Sequence, residues 1–236
     1  MIDIDYNLIK TIVASISVVI ALIAGFIELR LNPKNWLNRW FALFFISTAL
    51  AFFIYALYHL INTNDFYTTQ AIVIPMLITA HFLFSFAPIC LVMTVFILEK
   101  YKKIALNYKH LGLMMALLII MTIGYFLPGL RPILLKGPYD TNRIIDTYTP
   151  SELFWFVNII RLGLLFYVIF KYAMITRKVE EATKKRIQWF IAGVTIIIVG
   201  IVINLLGGFL VNAIIEIFAL ILLDIGIFVI IKGFLI

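Results

Sequence analysis

Charged residues are scarce in this sequence. Asp, Glu, Lys and Arg together make up 13% of its 236 residues, whereas hydrophobic residues make up 64% and the mean hydropathy is +1.10. A soluble globular domain is ordinarily about a quarter charged and about half apolar. A chain of this length could not keep so much apolar surface out of water. The composition therefore excludes a soluble domain and predicts an integral membrane protein.

Cysteine is nearly absent, and no cleavable leader is expected. The single cysteine, Cys90, excludes an intramolecular disulfide framework, and its place inside an apolar run predicts a small buried side chain. The chain begins Met1-Ile-Asp-Ile-Asp5, which is acidic rather than basic, and no small-residue cleavage site follows the first apolar run. We therefore expect no signal peptide, and the first apolar run is predicted to stay in the membrane.

Seven apolar runs are each long enough to cross a bilayer, which takes about 20 helical residues. They cover approximately residues 8–29, 41–61, 71–98, 111–130, 153–175, 189–210 and 213–231. The last two are separated only by the turn signal Gly207-Gly208-Phe-Leu-Val-Asn212, within a stretch too long for one span. The sequence thus predicts an all-α fold, a single seven-helix transmembrane bundle formed by residues 1–236.

Basic residues are distributed unevenly between the two sides that seven spans create. Most of the 19 Lys and Arg residues follow spans one, three, five and seven, whereas only Lys10, Arg131, Lys136 and Arg143 lie on the other side. The positive-inside rule then places the N-terminus outside and the C-terminus in the cytoplasm, as in a multi-pass protein of the cell (plasma) membrane. The one long outer connection, residues 131–152, carries Pro132, Gly137-Pro138 and Pro150, and is predicted to be a structured or lid-like loop.

Polar residues inside the spans are the candidates for function, because lipid-facing positions need only apolar side chains. Helical spacing places several of them on common faces. The groups are Tyr55, Tyr58 and His59 in span two; His81, Ser85 and Pro88 in span three; Asn158 and Arg161 in span five; Asn204 in span six; and Glu216 and Asp224 in span seven.

Arg161 is the most costly of these residues, since an unpaired charge at mid-helix costs about 2.5–3.5 kcal/mol on insertion scales. The helical rise puts Arg161 roughly 12 Å below the outer start of its span, between Glu216 at roughly 5 Å and Asp224 at roughly 16 Å. Pairing with one of these carboxylates is therefore predicted. Such a pair could fix the helix register or could line a polar cavity in the outer half; otherwise Arg161 would extend to the outer interface.

A small ligand, a lipid or a proton is predicted to bind in this outer half. The candidate site residues are Tyr55, His59, His81, Asn158, Arg161, Glu216 and Asp224. Each histidine is either a hydrogen-bonded interhelical residue or a ligand-binding or proton-transferring group. The spacing of the histidines and carboxylates carries no metal signature, so no metal is predicted. A retinal cofactor is excluded too, because Lys232 lies at the end of span seven and not in its middle.

Other residues predict contacts with helices, lipids and partners. Gly193, Gly200 and Gly207 recur every seven residues, as do Gly226 and Gly233, which predicts close helix packing. An aromatic belt is expected at the inner boundary, formed by Trp36, Trp40, Trp189, Tyr101 and Tyr108. The basic connection RKVEEATKKR is either a solvated face or a docking site for a cytoplasmic partner, and a second copy of the chain is a further candidate partner. Nucleic acid is excluded, because no soluble basic face with interleaved aromatics exists.

Three segments resemble the N-terminal seven-helix sensor region of some archaeal and bacterial histidine kinases. They are the aromatic-rich second span with its basic lead, LNPKNWLNRWFALFFISTALAFFIYALYHL; the proline-containing third span with its basic exit, HFLFSFAPICLVMTVFILEKYKK; and the basic opening of span six, KKRIQWFIAGV. A Gly-Pro-bearing outer loop before span five adds to the resemblance. No kinase or dimerisation helix follows, which implies a fragment, a separate signalling partner or a purely architectural likeness.

The sequence and the resemblance together predict a membrane-embedded sensory receptor of a prokaryote. Ligand binding in the outer half would shift spans five to seven and move the inner connections. A transporter or channel is the alternative, and it would need polar residues that continue through the inner half. An intramembrane enzyme that acts on a lipid or isoprenoid is the further alternative, since two carboxylates and two histidines are present.

Overall fold

The structure is a computed structural model, and it describes residues 6–61, 65–99, 108–135, 147–210 and 212–235. Within these residues it contains seven helices that are long and apolar enough to cross a membrane, which confirms the predicted seven-span fold of a multi-pass membrane protein. The helices are α1 (Tyr6–Leu31), α2 (Trp36–Leu60), α3 (Phe66–Glu99), α4 (Tyr108–Ile123), α5 (Ser151–Thr176), α6 (Glu181–Leu210) and α7 (Ala213–Leu235). A 3₁₀ turn, Gly124–Phe126, extends α4.

Asparagine side chains cap the N-termini of two of the helices. Asn35 accepts a hydrogen bond from the backbone N–H of Leu37 at 3.0 Å and caps α2. Asn212 accepts from the N–H groups of Ile214 and Ile215 and caps α7. These bonds satisfy backbone donors that have no partner at a helix start. The predicted break between the last two spans is therefore confirmed, although α6 continues to Leu210 and includes both predicted turn glycines.

The two ends of the bundle differ in structure and charge. At one end the strands β1 (Ile133–Leu134) and β2 (Thr147–Tyr148) pair antiparallel, and Leu134 packs on the end of α2 and the start of α3. We call this the ribbon end; it also holds the starts of α1, α5 and α7. The predicted loop of residues 131–152 is structured where it is described, and Gly137-Pro138 lies outside the described residues. The opposite, basic end carries Arg30, Arg39, Lys171, Arg177, Lys178, Lys184, Lys185, Arg186 and Lys232.

The helices form a closed arrangement around an apolar core. Helix α1 packs on α2 and α2 on α3, while α6 packs on α7 over their whole length. Two seams join these groups: α1 lies against α7, and α5 lies between α3 and α6. In the basic half the core is aromatic, with the Phe41 ring 5.4 Å from both Phe190 and Phe234. The candidate polar residues lie along the two seams.

The glycine repeat packs α6 directly on α7. A Cβ atom added at Gly193 would lie 2.6 Å from the carbonyl oxygen of Gly226, and one added at Gly226 would lie 2.9 Å from the carbonyl oxygen of Gly193. Both distances are shorter than ordinary carbon–oxygen contacts, which are about 3.3 Å or more. The predicted role of these glycines in close helix packing is thereby confirmed.

The predicted aromatic belt is only partly correct. Lys232 lies 4.3 Å from the ring centre of Trp189 and Arg39 lies 4.7 Å from that of Trp36, so both tryptophans pair with cations at the basic end. Trp40, however, is 6% exposed and belongs to the core, because it lies on the face of α2 that also carries Phe44. Tyr101 lies outside the described residues.

Candidate functional site

Arg161 lies inside the bundle, on the buried face of α5. It is 7% exposed. Apart from the neighbours Val157 and Asn158, the buried residues of this helix recur at intervals of three and four, which places Arg161 in the middle of the buried face. They are Leu153, Val157, Asn158, Arg161, Leu165, Val168 and Tyr172.

The guanidinium group of Arg161 ties α5 to α3. Its Nη2 donates to the carbonyl oxygen of His81 and to the hydroxyl of Ser85, both at 2.8 Å. Its Nε donates to Ser85 at 3.1 Å, and its Nη1 donates to the side-chain oxygen of Asn158 at 3.2 Å. Five N–H donors in a planar fork suit this kind of convergent site. We call these four residues, with Tyr125, the Arg161 cluster.

The expected ion pair of Arg161 with Asp224 or Glu216 is wrong. All the acceptors bonded to Arg161 are neutral, and within the described part of the chain no carboxylate bonds to it. The helical rise predicts how deep each residue lies in the membrane, but this depth does not show which helices are neighbours. Helix α5 lies against α3 and α6, whereas Glu216 pairs with Lys10 of α1 and Asp224 lies beside Ser17 of α1. The positive charge of Arg161 is therefore buried and not balanced by a described acidic residue.

Tyr125 completes the Arg161 cluster and was not predicted. Its ring stacks on His81, with the centroids 5.0 Å apart and the planes at 20°, and its hydroxyl lies close to the guanidinium. Tyr125 comes from the 3₁₀ turn after α4, which packs on the start of α5 through Gly124 and Leu153. No periodic pattern marks a residue in such a turn, so nothing in the sequence pointed to it.

A second polar cluster lies at the ribbon end of the other seam. Lys10 of α1 forms an ion pair with Glu216 of α7. On α2, the Tyr55 and Tyr58 rings each lie 4.5 Å from the His59 ring, and the charge of Lys10 acts on His59 while that of Glu216 acts on Tyr55. Lys10 is thus the cation that meets Glu216. The sequence had shown it only as an outer basic residue.

The residues Lys10, Glu216, Tyr55, Tyr58 and His59 form what we call the Lys10 cluster. His59 is unusual within it. It is 9% exposed, and neither of its ring nitrogens has a hydrogen-bond partner among the described residues. A neutral imidazole has one donor and one acceptor, and leaving such groups unsatisfied costs about 1–3 kcal/mol each. His59 therefore does not belong to the interhelical hydrogen bonds that hold the described bundle together.

Asp224 lies farther along the same seam. It is 9% exposed and lies beside Ser17 of α1, whose hydroxyl donates to the carbonyl oxygen of Val13 at 3.2 Å. Its Oδ1 atom is buried and has no partner in the described part of the chain. Asp224 thus contacts neither Arg161 nor the ion pair of Glu216.

Glu28 is a buried acidic residue that sequence reasoning missed. It is 2% exposed, near the basic end of α1, and its carboxylate accepts a hydrogen bond from the Asn38 side chain at 3.0 Å. A signal was present, because small and polar residues recur at three- and four-residue intervals on one face of α1. The buried members of that stripe are Thr11, Ala14, Ser17, Ala21, Ala24 and Glu28.

The seven candidate site residues therefore divide between the two seams. Asn158, Arg161 and His81 lie together, whereas Tyr55, His59, Glu216 and Asp224 line the α1–α7 side. Among the described residues no group of three or more His, Cys, Asp or Glu side chains could hold a metal ion. Near the first group, a groove of about 340 Å³ opens between α3 and β1, and its floor residue Ile74 packs with Tyr125.

Comparison with protein-family models, with curated proteins and with solved structures gives no match for this chain. The side-chain arrangement is therefore the basis on which a function can be assigned.

Proposed function

We propose that this protein is a membrane-embedded sensory receptor that binds a small anionic ligand at the Arg161 cluster. In this proposal the ribbon end faces outward and the basic end faces the cytoplasm of the cell, as the distribution of Lys and Arg predicts. The ligand enters at the ribbon end, and the signal leaves at the basic end.

The observation that carries the proposal is the unbalanced charge of Arg161. A buried guanidinium normally has a carboxylate or phosphate partner, because charge-assisted pairs are roughly twice as strong as neutral hydrogen bonds. Here the acceptors are a carbonyl, a hydroxyl and an amide oxygen. A carboxylate or phosphate group of a ligand would match the planar fork in the bidentate manner and would neutralise it.

Ligand binding would change the contact between α5 and α3. The donors that an anion would accept from are the same N–H groups that hold His81 and Ser85. Their loss would free α5 to shift against α3. Toward the basic end, α5 is also joined to α3 by the Lys171–Glu99 ion pair and by the Tyr172 and Thr94 hydroxyls, which lie 2.8 Å apart. A shift of this rigid helix would therefore reach the basic end.

The basic end offers a surface for a cytoplasmic signalling partner. Arg177, Lys178, Lys185 and Arg186 are exposed where α5 ends and α6 begins. An acidic partner surface, or the anionic headgroups of membrane lipids, would be attracted to these cations. A receptor of this kind fits the resemblance to kinase sensor regions, in which a membrane bundle controls a separate catalytic module.

The test is ligand-induced stabilisation of the protein in lipid nanodiscs. Small organic anions such as hexanoate and phenyl phosphate are compared with neutral counterparts of similar shape, hexanamide and phenol. We expect at least one anion to raise the Tm of the wild type and its neutral counterpart to have no effect. Arg161→Gln should abolish this stabilisation, and Arg161→Lys should weaken it because the fork is lost.

Lys171→Gln is the matched control, since it removes a cation from the same helix and breaks another α3–α5 contact. It should leave the anion effect unchanged. The receptor site would be wrong if folded Arg161→Gln responded to anions as the wild type does, or if no anion in the panel distinguished the two proteins.

A transporter is the second candidate function, and Glu28 is the observation that favours it. An ion pathway requires polar residues in the inner half of the membrane, and Glu28 is such a residue, buried in the basic half of α1. Proton or Na⁺ flux into proteoliposomes that Glu28→Gln abolishes would support transport. Equal, leak-level flux in the wild type and Glu28→Gln would argue for the receptor.

A further inference from the structure

The groove of about 340 Å³ at the ribbon end lies between the first turns of α3 and strand β1. We call it the α3–β1 groove. Binding pockets for small ligands are typically about 300–1,000 Å³ and combine apolar walls with a few polar groups. The α3–β1 groove has both features, since four of its lining residues are apolar and three are polar. The apolar ones are Ala71, Ile74, Pro132 and Ile133, and the polar ones are Tyr67, Gln70 and Arg131.

The packing of β1 on α3 defines the shape of this groove. Successive side chains of a strand point to opposite sides. Leu134 points inward and packs in a cluster with Val73 of α3, so Ile133 points the other way and forms a wall of the groove. The floor is Ile74, which is buried against Tyr125. Because its sides belong to packed elements, the groove is preformed.

The length of α3 places the groove at the level of the lipid headgroups. Its 34 residues span about 51 Å, whereas the hydrocarbon core of a bilayer is about 30 Å thick. Shared equally between the two ends, the excess is about 10 Å, or about seven residues, at each end. Tyr67 and Gln70 then lie in the headgroup layer, and Ile74 lies at its boundary with the hydrocarbon core. A molecule in the groove therefore has one end among the headgroups and the other in the hydrocarbon core.

Arg131 supplies the charge of the groove. Its side chain is exposed, and among the described residues no carboxylate pairs with it. The planar fork of an arginine matches the oxygen atoms of a phosphate group in the bidentate manner. Gln70 lines the same groove and carries a side-chain amide that can donate as well. A phosphate group that carries an acyl chain would use both the cation and the apolar walls, whereas a free phosphate ion would leave the walls uncovered.

We propose that the α3–β1 groove binds a membrane glycerophospholipid. Its phosphodiester contacts Arg131, and the start of an acyl chain lies against Ile74 and Ile133. The bound lipid touches both α3 and β1, so it holds the ribbon on the helix. Since the groove exists only when these elements are packed together, lipid binding stabilises the folded protein. This inference is independent of anion binding at Arg161.

Native mass spectrometry of the protein in non-ionic detergent micelles tests the site. The probe is dioleoyl phosphatidylglycerol. Dioleoylglycerol, which lacks the phosphate, and glycerol 3-phosphate, which lacks the acyl chains, are its two counterparts. We expect one molecule of phosphatidylglycerol to be held most tightly by the wild type. Each counterpart should bind at least about tenfold more weakly, because each makes only one of the two kinds of contact.

Two substitutions address the two parts of the site. Arg131→Gln removes the cation and should weaken the tightest binding of phosphatidylglycerol about tenfold or more. Ala71→Phe keeps the cation but fills the groove with a ring, and it should weaken binding to a similar degree. Ile72→Phe adds the ring at the neighbouring exposed position outside the groove, and Arg30→Gln removes an exposed cation at the basic end. Both of these controls should bind the lipid as the wild type does.

Thermal stability provides a second readout. Phosphatidylglycerol should raise the Tm of the wild type and of Ile72→Phe, and should raise that of Ala71→Phe less. Arg161→Gln should keep the full effect of the lipid, which separates this site from the Arg161 cluster.

Three results would overturn the proposal. The first is wild-type affinity for phosphatidylglycerol in folded Arg131→Gln or in folded Ala71→Phe. The second is equally tight binding of dioleoylglycerol, which would remove the role of the phosphate. The third is displacement of the lipid by an equal concentration of glycerol 3-phosphate, which would assign the groove to a soluble phosphate instead of a lipid. Should one of the two variants not fold, the other decides against its matched control.

Discussion

Gly193→Ala should separate α6 from α7. The added methyl carbon would lie 2.6 Å from the carbonyl oxygen of Gly226 and 2.4 Å from Cγ1 of Ile230. An ordinary carbon–oxygen contact is about 3.3 Å, so the helices must move apart by about 0.7 Å at this level. A gap of that size forfeits roughly a quarter to a half of the dispersion energy of each contact it opens. Overpacking of this kind typically costs about 1–3 kcal/mol.

Reversible unfolding in mixed micelles, followed by helical circular dichroism, measures this cost. The matched control is Gly163→Ala on α5, where an added Cβ meets nothing within 4 Å. There the higher helix propensity of alanine should stabilise the protein by about 0.5–1 kcal/mol. The two variants should therefore differ by about 1.5–4 kcal/mol in free energy of unfolding. Equal stabilities would refute the idea that α6 and α7 form one closely packed unit.

Two further predictions concern charged groups at the ribbon end. Lys10→Gln should lower the free energy of unfolding by about 2 kcal/mol, because it leaves the Glu216 carboxylate partly buried without its cation. In the same unfolding assay, the Lys10→Gln/Glu216→Gln double variant should recover part of this loss. If the losses of the two single variants simply added, the pairing would be contradicted. Asp65 accepts hydrogen bonds from the N–H of Thr68 at 2.9 Å and from its hydroxyl at 2.6 Å, which lowers the pKa of the Asp65 carboxyl group. Its contribution to stability is present at neutral pH and lost as the pH falls through this lowered pKa. A Tm-against-pH curve for Asp65→Asn should therefore be flatter on the acid side than that of the wild type, and two parallel curves would contradict the cap.

The two seams lie between two units of the bundle, helices α1–α3 and the pair α6–α7, with α5 in the second seam. This arrangement suggests how the two units could move against each other when a ligand binds. Within the pair α6–α7 the contact is made by glycines and aliphatic side chains, which favour one close arrangement. By contrast, α5 meets α3 through the hydrogen bonds of Arg161, and α7 meets α1 through the Lys10–Glu216 ion pair. Hydrogen bonds and ion pairs can exchange partners with a ligand or a proton, whereas interlocked apolar packing cannot. Movement between the two units is therefore expected at these seams.

The sequence was sufficient for the architecture, because the physics behind it is local. Twenty apolar residues cross a bilayer wherever they occur, so seven runs predict seven spans without knowledge of their neighbours. The seven-residue repeat of Gly193 and Gly200 likewise marks a packing face by its spacing alone. In the same way, helical periodicity places Asn158 and Arg161 on one face and gives the depth of each.

Only the tertiary structure decided which of these residues meet. Arg161 and Asp224 lie at similar depths, but α5 and α7 turn them toward different neighbours, and depth along a helix carries no information about neighbours around it. Tyr125 joins the Arg161 cluster through a 3₁₀ turn that has no periodic signature, and Lys10 meets Glu216 across 206 residues of sequence. Such contacts depend on the order in which the helices pack around the bundle. That order is a property of all seven helices together, and no single segment of the sequence specifies it.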